Sequence, residues 1–361
     1  MKRIRLGNDV FEGQNNAYLL DGETTALIDT GVAMPGVRAT LAGGLADAGL
    51  DVADLDEIYL THWHPDHAGL AGDLQADSGA DVYVHEADAP LVSGEEPLFF
   101  EDEAAQERVF DDWGMPADAR EELRNFAGGD DHGLTGRMPD VIPFSDGERF
   151  EVNGVGLEAV HLPGHSAGLT AFAFDASSMA ASLEDAPGNS EAEALLDDGG
   201  MQAFVGDAIL PKYTPNVGGA DVRVDNPLEK YAESLVRIVE RDWARAHPGH
   251  RDAIDPPSRR AAVILEHHRE RTERVVDVLA EHGPADAWTV SAHLFGDLHT
   301  IHILHGPGEA YAHLDHLEDA GVVARDGIEY ELVEPAAAVD VDALFPETRF
   351  YGTVEGETEG E

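Results

Sequence analysis

The stretch 61–69, THWHPDHAG, packs three histidines and an aspartate into six positions. It follows EIYL at 57–60, a short apolar run of the kind buried in a sheet. Imidazole and carboxylate groups are good ligands for zinc and similar divalent ions. His62 and His64 lie two apart, so an extended backbone points them the same way. Pro65 then breaks any strand or helix and turns the chain towards Asp66 and His67. Four ligands on one tight loop can serve two metals, the first pair on one ion and the second pair on the other.

Two metals need further ligands, and three candidates stand at strand or turn ends. His165, in HLPGHSAG, follows the apolar run 155–162. Asp207, in FVGDAI, follows the run 203–206. His250, in AHPGHRD, follows a helix and a short strand. A ligand at the end of a strand is rigidly held. The expected set is His62, His64 and His165 on one metal, Asp66, His67 and His250 on the other, and Asp207 shared. Lys212, Tyr213, Thr214 and Asn216 follow Asp207 closely and are the candidate substrate contacts, with Lys212 suited to an anionic group. His267, His268 and Arg269 are weaker candidates for the same mouth, and His247 reads as a surface or supporting residue.

The periodicity predicts strands at 17–20 and 25–29 around the turn Asp21-Gly22, then at 57–60, 81–85, 149–152, 155–162, 169–174 and 203–206. It predicts helices at 37–48, 101–113, 117–126, 227–243 and 258–281, with Asn226-Pro227 as cap and first turn of the fourth. The small, acidic stretch 176–201 reads as a surface insertion. Gly283-Pro284 marks a boundary. Beyond it, helices at 286–295 and 308–320 precede two short strands around Asp326-Gly327, a winged-helix pattern. The expected organisation is 1–257, 258–334 and a loose acidic tail at 335–361.

Charge bounds the setting. The chain carries 72 acidic and 23 basic residues, a net charge of -49, and only three of its bases are lysines. Such charge repels itself in dilute salt. At molar salt the Debye length is about 3 Å, so the composition predicts a salt-rich cytoplasm of the halophilic kind. Cysteine is absent, which excludes disulfides, thiolate metal sites and cysteine nucleophiles. The N-terminal stretch lacks the apolar segment of a signal peptide, and no run is long enough to span a membrane. A soluble cytoplasmic protein is expected.

The motif HxHxDH, with the later His165, Asp207 and His250, resembles the metallo-β-lactamase superfamily. The resemblance covers about 10–255, and Asp29-Thr30-Gly31 is similar to that family's early strand-end motif. It implies an α/β fold, an αββα sandwich with a dinuclear site at one edge. The segment 258–333 resembles the small winged-helix domain of the β-lactamase-like-protein-2 branch, as do GDAILPKYTPNV and NPLEKYAESL. Arg251 departs from the pattern, since relatives commonly have glycine there. The resemblance implies a hydrolase that uses a metal-bridged hydroxide, with two Zn2+ (or Fe or Mn) and Asp66 orienting the nucleophile or accepting its proton. Neutral imidazoles are needed for ligation, so activity should fall below about pH 6.

The substrate stays open between a small ester, thioester or lactone and a phosphodiester, including single-stranded RNA as in the same branch. A glyoxalase II-like thioesterase and a mono-iron sulfur dioxygenase are the family alternatives. A serine hydrolase is a rival, because Gly164-His165-Ser166-Ala167-Gly168 matches G-x-S-x-G. The strand-like LTAFAF after it is the wrong context, and Ser166 is expected to support the loop instead. Double-stranded DNA is disfavoured as a partner, because the candidate recognition helix GEAYAHLDHLEDAG has no Lys or Arg. The sequence leaves the oligomeric state open.

Overall fold

The computed structural model describes residues 1–8, 13–127, 134–182 and 199–354. Two sheets face each other. The first orders β1 (Lys2–Arg5), β2 (Asn16–Leu20), β3 (Ala26–Ile28), β4 (Glu57–Tyr59), β5 (Asp81–His85) and β6 (Val141–Phe144) side by side. Its first two pairings are antiparallel and the rest parallel. The second contains β7 (Arg149–Val152), β8 (Val155–His161), β9 (Thr170–Asp175), β10 (Met201–Gly206) and β11 (Arg245–Pro248). Only its β10–β11 pairing is parallel.

Alternation along each strand builds the layers. In β2, Tyr18 and Leu20 enter the inter-sheet core, while Ala17 and Leu19 face the opposite way. In β9, Phe172 and Phe174 enter that core, and Ala171 and Ala173 face outward to the helices. Both faces of the central strands are therefore buried, the pattern of a sheet covered by helices on its outer side. The helices α1 (Pro35–Ala46), α2 (Pro65–Ala68) and α3 (Ala71–Ser78) flank the first sheet. Next come α4 (Ala89–Ser93), α5 (Glu103–Asp112), α6 (Ala117–Ala127) and α7 (Ala176–Ser182). The second sheet's outer face is covered by α8 (Pro227–Arg241) and α9 (Pro257–His282).

After α9 come α10 (Ala287–Phe295), α11 (His302–Asp319) and the hairpin β12 (Val323–Asp326) and β13 (Glu329–Leu332). Ala285 pairs with Tyr330 and gives the hairpin a third short partner. The buried apolar side chains of this module, among them Val290, Leu314 and Tyr330, join the same cluster as the outer face of the second sheet. Among the described residues, no helix is long and apolar enough to cross a membrane.

Five expectations need correction or limits. Helix α11 begins at His302 rather than 308 and runs through Pro307. Gly306 and Gly308 flank this proline, and their turn packs closely on neighbouring segments. β6 was not anticipated; Pro143 masks it, and an edge strand tolerates proline. Asn226 occupies the cap position of α8, but its side chain turns to Asp319 instead of capping. Residues 335–354 are not loose, since Val341, Phe345 and Val354 are buried. Of the expected insertion, 176–182 form α7 and 183–198 lie outside the described residues, as do 355–361 of the expected tail.

Candidate metal centre

The strand ends converge at one edge of the sandwich. His62 follows β4, His165 follows β8, Asp207 directly follows β10 and His250 follows β11. Pro65 starts α2, whose single turn carries Asp66 and His67 back towards the same point. All seven sequence-picked candidates meet there, and six are buried, with His64 half-buried.

Three imidazoles form one half. His62 Nε2 lies 2.9 Å from His64 Nδ1, which lies 3.1 Å from His165 Nε2. The opposite nitrogen of each ring is already committed. His64 Nε2 donates to Ala220 O at 3.0 Å, and His165 Nδ1 donates to Asn216 O at 2.8 Å. The Thr61 hydroxyl gives its proton to Asp29 at 2.8 Å and accepts from His62 Nδ1 at 3.1 Å. Neutral rings so arranged aim three lone pairs at one point with no proton between them. A cation resolves that repulsion. The spacing is close to the roughly 3.4 Å kept by two tetrahedral nitrogens about 2.1 Å from zinc. Burial and the neighbouring imidazoles hold His62 well below its usual range and bring His64 to about 4.

Carboxylates dominate the other half. His67 Nδ1 donates to Asp29 at 2.9 Å, and His250 Nδ1 donates to Gly13 O at 2.9 Å. Their Nε2 atoms face Asp207 Oδ2 at 3.5 and 3.3 Å, and Asp66 Oδ2 at 3.7 and 3.3 Å. Asp207 Oδ2 also reaches within 3.8 Å of His165 Nε2, so it stands between the halves. His67 Nε2 and Asp207 Oδ1 are buried without a hydrogen-bond partner, as expected of atoms that await an ion. Three ligand-like trios fall here: His62, His64 and His165; His62, His67 and Asp207; Asp66, His67 and His250. Gly249 lets the backbone pass close, since a Cβ there would come within 2.3 Å of His67 Cε1.

The two halves differ in their protons. Burial works against charge on His250, but Asp207 and Asp66 outweigh it and bring its pKa up to about 10. Burial likewise opposes charge on His67, and Asp207, Asp66 and Asp29 overcome it. The two histidines in turn hold Asp66 and Asp207 below the usual carboxylate range against their burial. A raised histidine stabilises the fold below its unfolded value of 6.5, and that contribution is lost as pH rises towards 10. A depressed carboxylate stabilises above its unfolded value of 3.8, and that contribution is lost as pH falls. The carboxylate half is therefore most stabilising between about pH 4 and 6.5, whereas His62, His64 and His165, held below their usual range, cost stability as pH falls below 6.5. Cation binding must expel the protons of His67 and His250, so it tightens as pH rises. Calorimetry in two buffers of different protonation enthalpy should show net proton release on cation binding at pH 7. A release near zero would contradict this charge assignment.

Supporting groups surround the centre. Asn15 Nδ2 donates to Asp66 Oδ2 at 3.0 Å. Asp88 accepts from the Ser166 hydroxyl and the Trp63 N–H, each at 3.2 Å, and Asp221 accepts from Trp63 Nε1 at 3.1 Å. Arg223 bridges Asp88 and Asp221 at 2.8 and 2.7 Å. Ser166 is thus a buried loop support, which removes the nucleophile reading. His305 was missed by the sequence reading. Burial and the nearby His302, His165 and His64 lower it to about 3, so α11 reaches the centre's surroundings.

The other sequence candidates separate. Lys212 and Tyr213 are exposed, with Lys212 Nζ 4.9 Å and Arg251 Cζ 5.1 Å from the Tyr213 ring centre. Arg251 takes a positive φ of 65°, which explains why glycine suits that position. Thr214 is half-buried beside them in the chain. Asn216 serves the structure instead: its amide donates to Glu309 at 2.8 Å. His247 is buried against Gln202, not at the surface. His267, His268 and Arg269 are buried in α9 among other partners rather than in the mouth.

Comparison with known proteins agrees with this architecture. Residues 10–181 match the family described as "Metallo-beta-lactamase superfamily". A metallo-beta-lactamase family protein from Thermus thermophilus, solved by crystallography, is 30% identical, with a TM-score of 0.70 over 92% of this chain and 98% of that one. The "Probable metallo-hydrolase YqjP" of Bacillus subtilis (strain 168) is 25% identical over 87% of this chain and 91% of its own. The "Beta-lactamase-like protein 2 homolog" of Drosophila melanogaster is 23% identical over 75% of this chain and 69% of its own. The "Thioesterase pkgB" of Emericella nidulans is 24% identical over 76% of this chain, which spans 57% of that protein's length.

Proposed function

The chain belongs to the metallo-β-lactamase superfamily, and on that premise we propose that it is a dinuclear zinc hydrolase of small esters or thioesters, active in a salt-rich cytoplasm. The observation that carries this reading is the proton-free meeting of His62, His64 and His165 beside the Asp207-bridged trio of Asp66, His67 and His250. These seven side chains would hold the two ions. Zinc suits a set of imidazoles and carboxylates without thiolate. Two ions held there would lower the pKa of a shared water towards about 7 and polarise a substrate oxygen.

The chain's own groups complete the chemistry. Asp66, held by Asn15, orients the attacking water and takes its proton. Asp29 keeps His67 in one tautomer, and the Asn216 and Ala220 carbonyls do the same for His165 and His64. Lys212, Tyr213 and Arg251 form a cationic and aromatic rim that receives an anionic substrate group. The C-terminal helices and hairpin are a winged-helix module whose α11, lacking Lys and Arg, faces the site rather than nucleic acid.

The name of the pkgB relative favours a thioester over RNA. A substrate panel in molar salt tests the reading: a thioester, a lactone, a carboxylic ester, a phosphodiester and an RNA oligomer, each with and without chelator. Chelator-sensitive turnover of a thioester or ester is expected to exceed that of the phosphodiester and RNA. RNA cleavage as the fastest reaction would replace the substrate assignment. Turnover that survives complete chelation would refute the mechanism.

A further inference from the structure

Two carbonyls on one short loop orient two histidines of the centre. Asn216 O receives His165 Nδ1, and Ala220 O receives His64 Nε2. A carbonyl aims a ligand only as well as its loop is held. This loop is held by α11. The Asn216 amide donates to His305 O at 3.1 Å and to Glu309 Oε2 at 2.8 Å, and its own oxygen accepts from Gly219 N at 3.1 Å. Gly308 lies flat against the loop: a Cβ there would come within 2.3 Å of Gly219 Cα. Glu309 is buried, and its other oxygen bonds Arg271 of α9. A continuous path therefore runs from α9 through Arg271, Glu309 and Asn216 to His165.

We propose that Asn216 and Glu309 are positioning residues, through which the C-terminal helices set the affinity and geometry of the His62–His64–His165 ion position. This rests on the dinuclear reading above. The adjacent trio His268, Glu309 and His313 has ligand-like spacing of its own. Glu309 is already committed to Arg271 and Asn216, and a dication there would face a buried guanidinium. The trio belongs to the lock and not to a third ion.

The test uses the full chain, loaded with Co2+ in molar salt. Asn216→Ala keeps the backbone carbonyl and removes its anchor. Glu309→Gln keeps the volume but offers one acceptor oxygen to two donors. Bound metal per chain, affinity by chelator competition, the visible Co2+ spectrum and the unfolding temperature are read together. Each variant is expected to lose about 10–100-fold in affinity at one ion position, the effect typical of groups that orient ligands. The spectrum should change, the second ion should stay, and the double variant should lose no more than the weaker single one. Native affinity and spectrum in both variants would overturn the proposal. Equal weakening of both ions with a lowered unfolding temperature would overturn it too, as would a third ion in the native chain. A native chain that binds no ion at all fails the dinuclear reading itself, an outcome distinct from the others.

Discussion

Replacing Asp207 by alanine is expected to lower hydrolysis by roughly 10³-fold and bound metal from two ions to about one. Metal chemistry of this kind is worth several kcal/mol in the transition state, and each 1.4 kcal/mol or so is a factor of ten. Two dications bring four positive charges, against which the centre sets the carboxylates Asp66 and Asp207. Asp207 is also the group that reaches His67, His250 and His165 together. Without it, the Asp66–His67–His250 half loses one of its two candidate anionic ligands. The His62–His64–His165 half keeps its three neutral nitrogens and retains its ion. The same substitution removes the largest influence that raises His250, so proton release on metal binding should fall as well. Elemental analysis beside the rate on the best substrate checks this. Two ions and an unchanged rate in Asp207→Ala would remove Asp207 from the centre.

Transfer from molar to roughly 0.01 M salt is expected to lower the unfolding temperature by about 10 °C or more, because the Debye length grows from about 3 to 30 Å and a few kcal/mol of repulsion shifts a large domain by that much. The bases are largely used up in local pairs, such as Arg237 with Asp146, Arg245 with Asp255, and Arg149 and Arg241 with Glu158. Exposed pairs of this kind contribute little each. They leave most of the 72 acidic side chains without a cation to offset them. A thermal melt across salt concentrations is the check. A flat profile would show that the acidic surface is tolerated without screening, and the salt-rich setting would fall with it.

The cluster of candidate ligands is legible in the sequence because its signal is local and chemical. Apolar strands carry a two-residue alternation, and a histidine or aspartate just past such a strand stands out from its neighbours. His62, His165 and Asp207 have that signature, while His250 follows the short strand Arg245–Pro248, whose sequence RAHP is not an apolar run. What orients them was not legible. The carbonyls of Asn216, Ala220 and Gly13 act through the backbone, which every residue shares. Asp29 and Asn15 pair with His67 and Asp66 only after the sheet has formed. The seating of α11 on the loop depends on Gly219 lying against Gly308, a contact between segments about ninety positions apart in the chain. Asn216 was singled out for its place after Asp207, yet its side chain faces α11 rather than the mouth. Proximity in sequence brings the Asn216 carbonyl to His165, but side-chain direction is decided by tertiary partners.

The central claim is that these seven side chains hold two catalytic ions. The most direct measurement is the metal content per chain of native protein purified in molar salt, with hydrolysis followed through removal and return of the metal. The expected result is two ions per chain, zinc foremost, with activity lost on chelation and restored by added zinc. A chain that holds no metal and still hydrolyses its substrate, or that holds one ion and never accepts a second, would contradict the dinuclear centre.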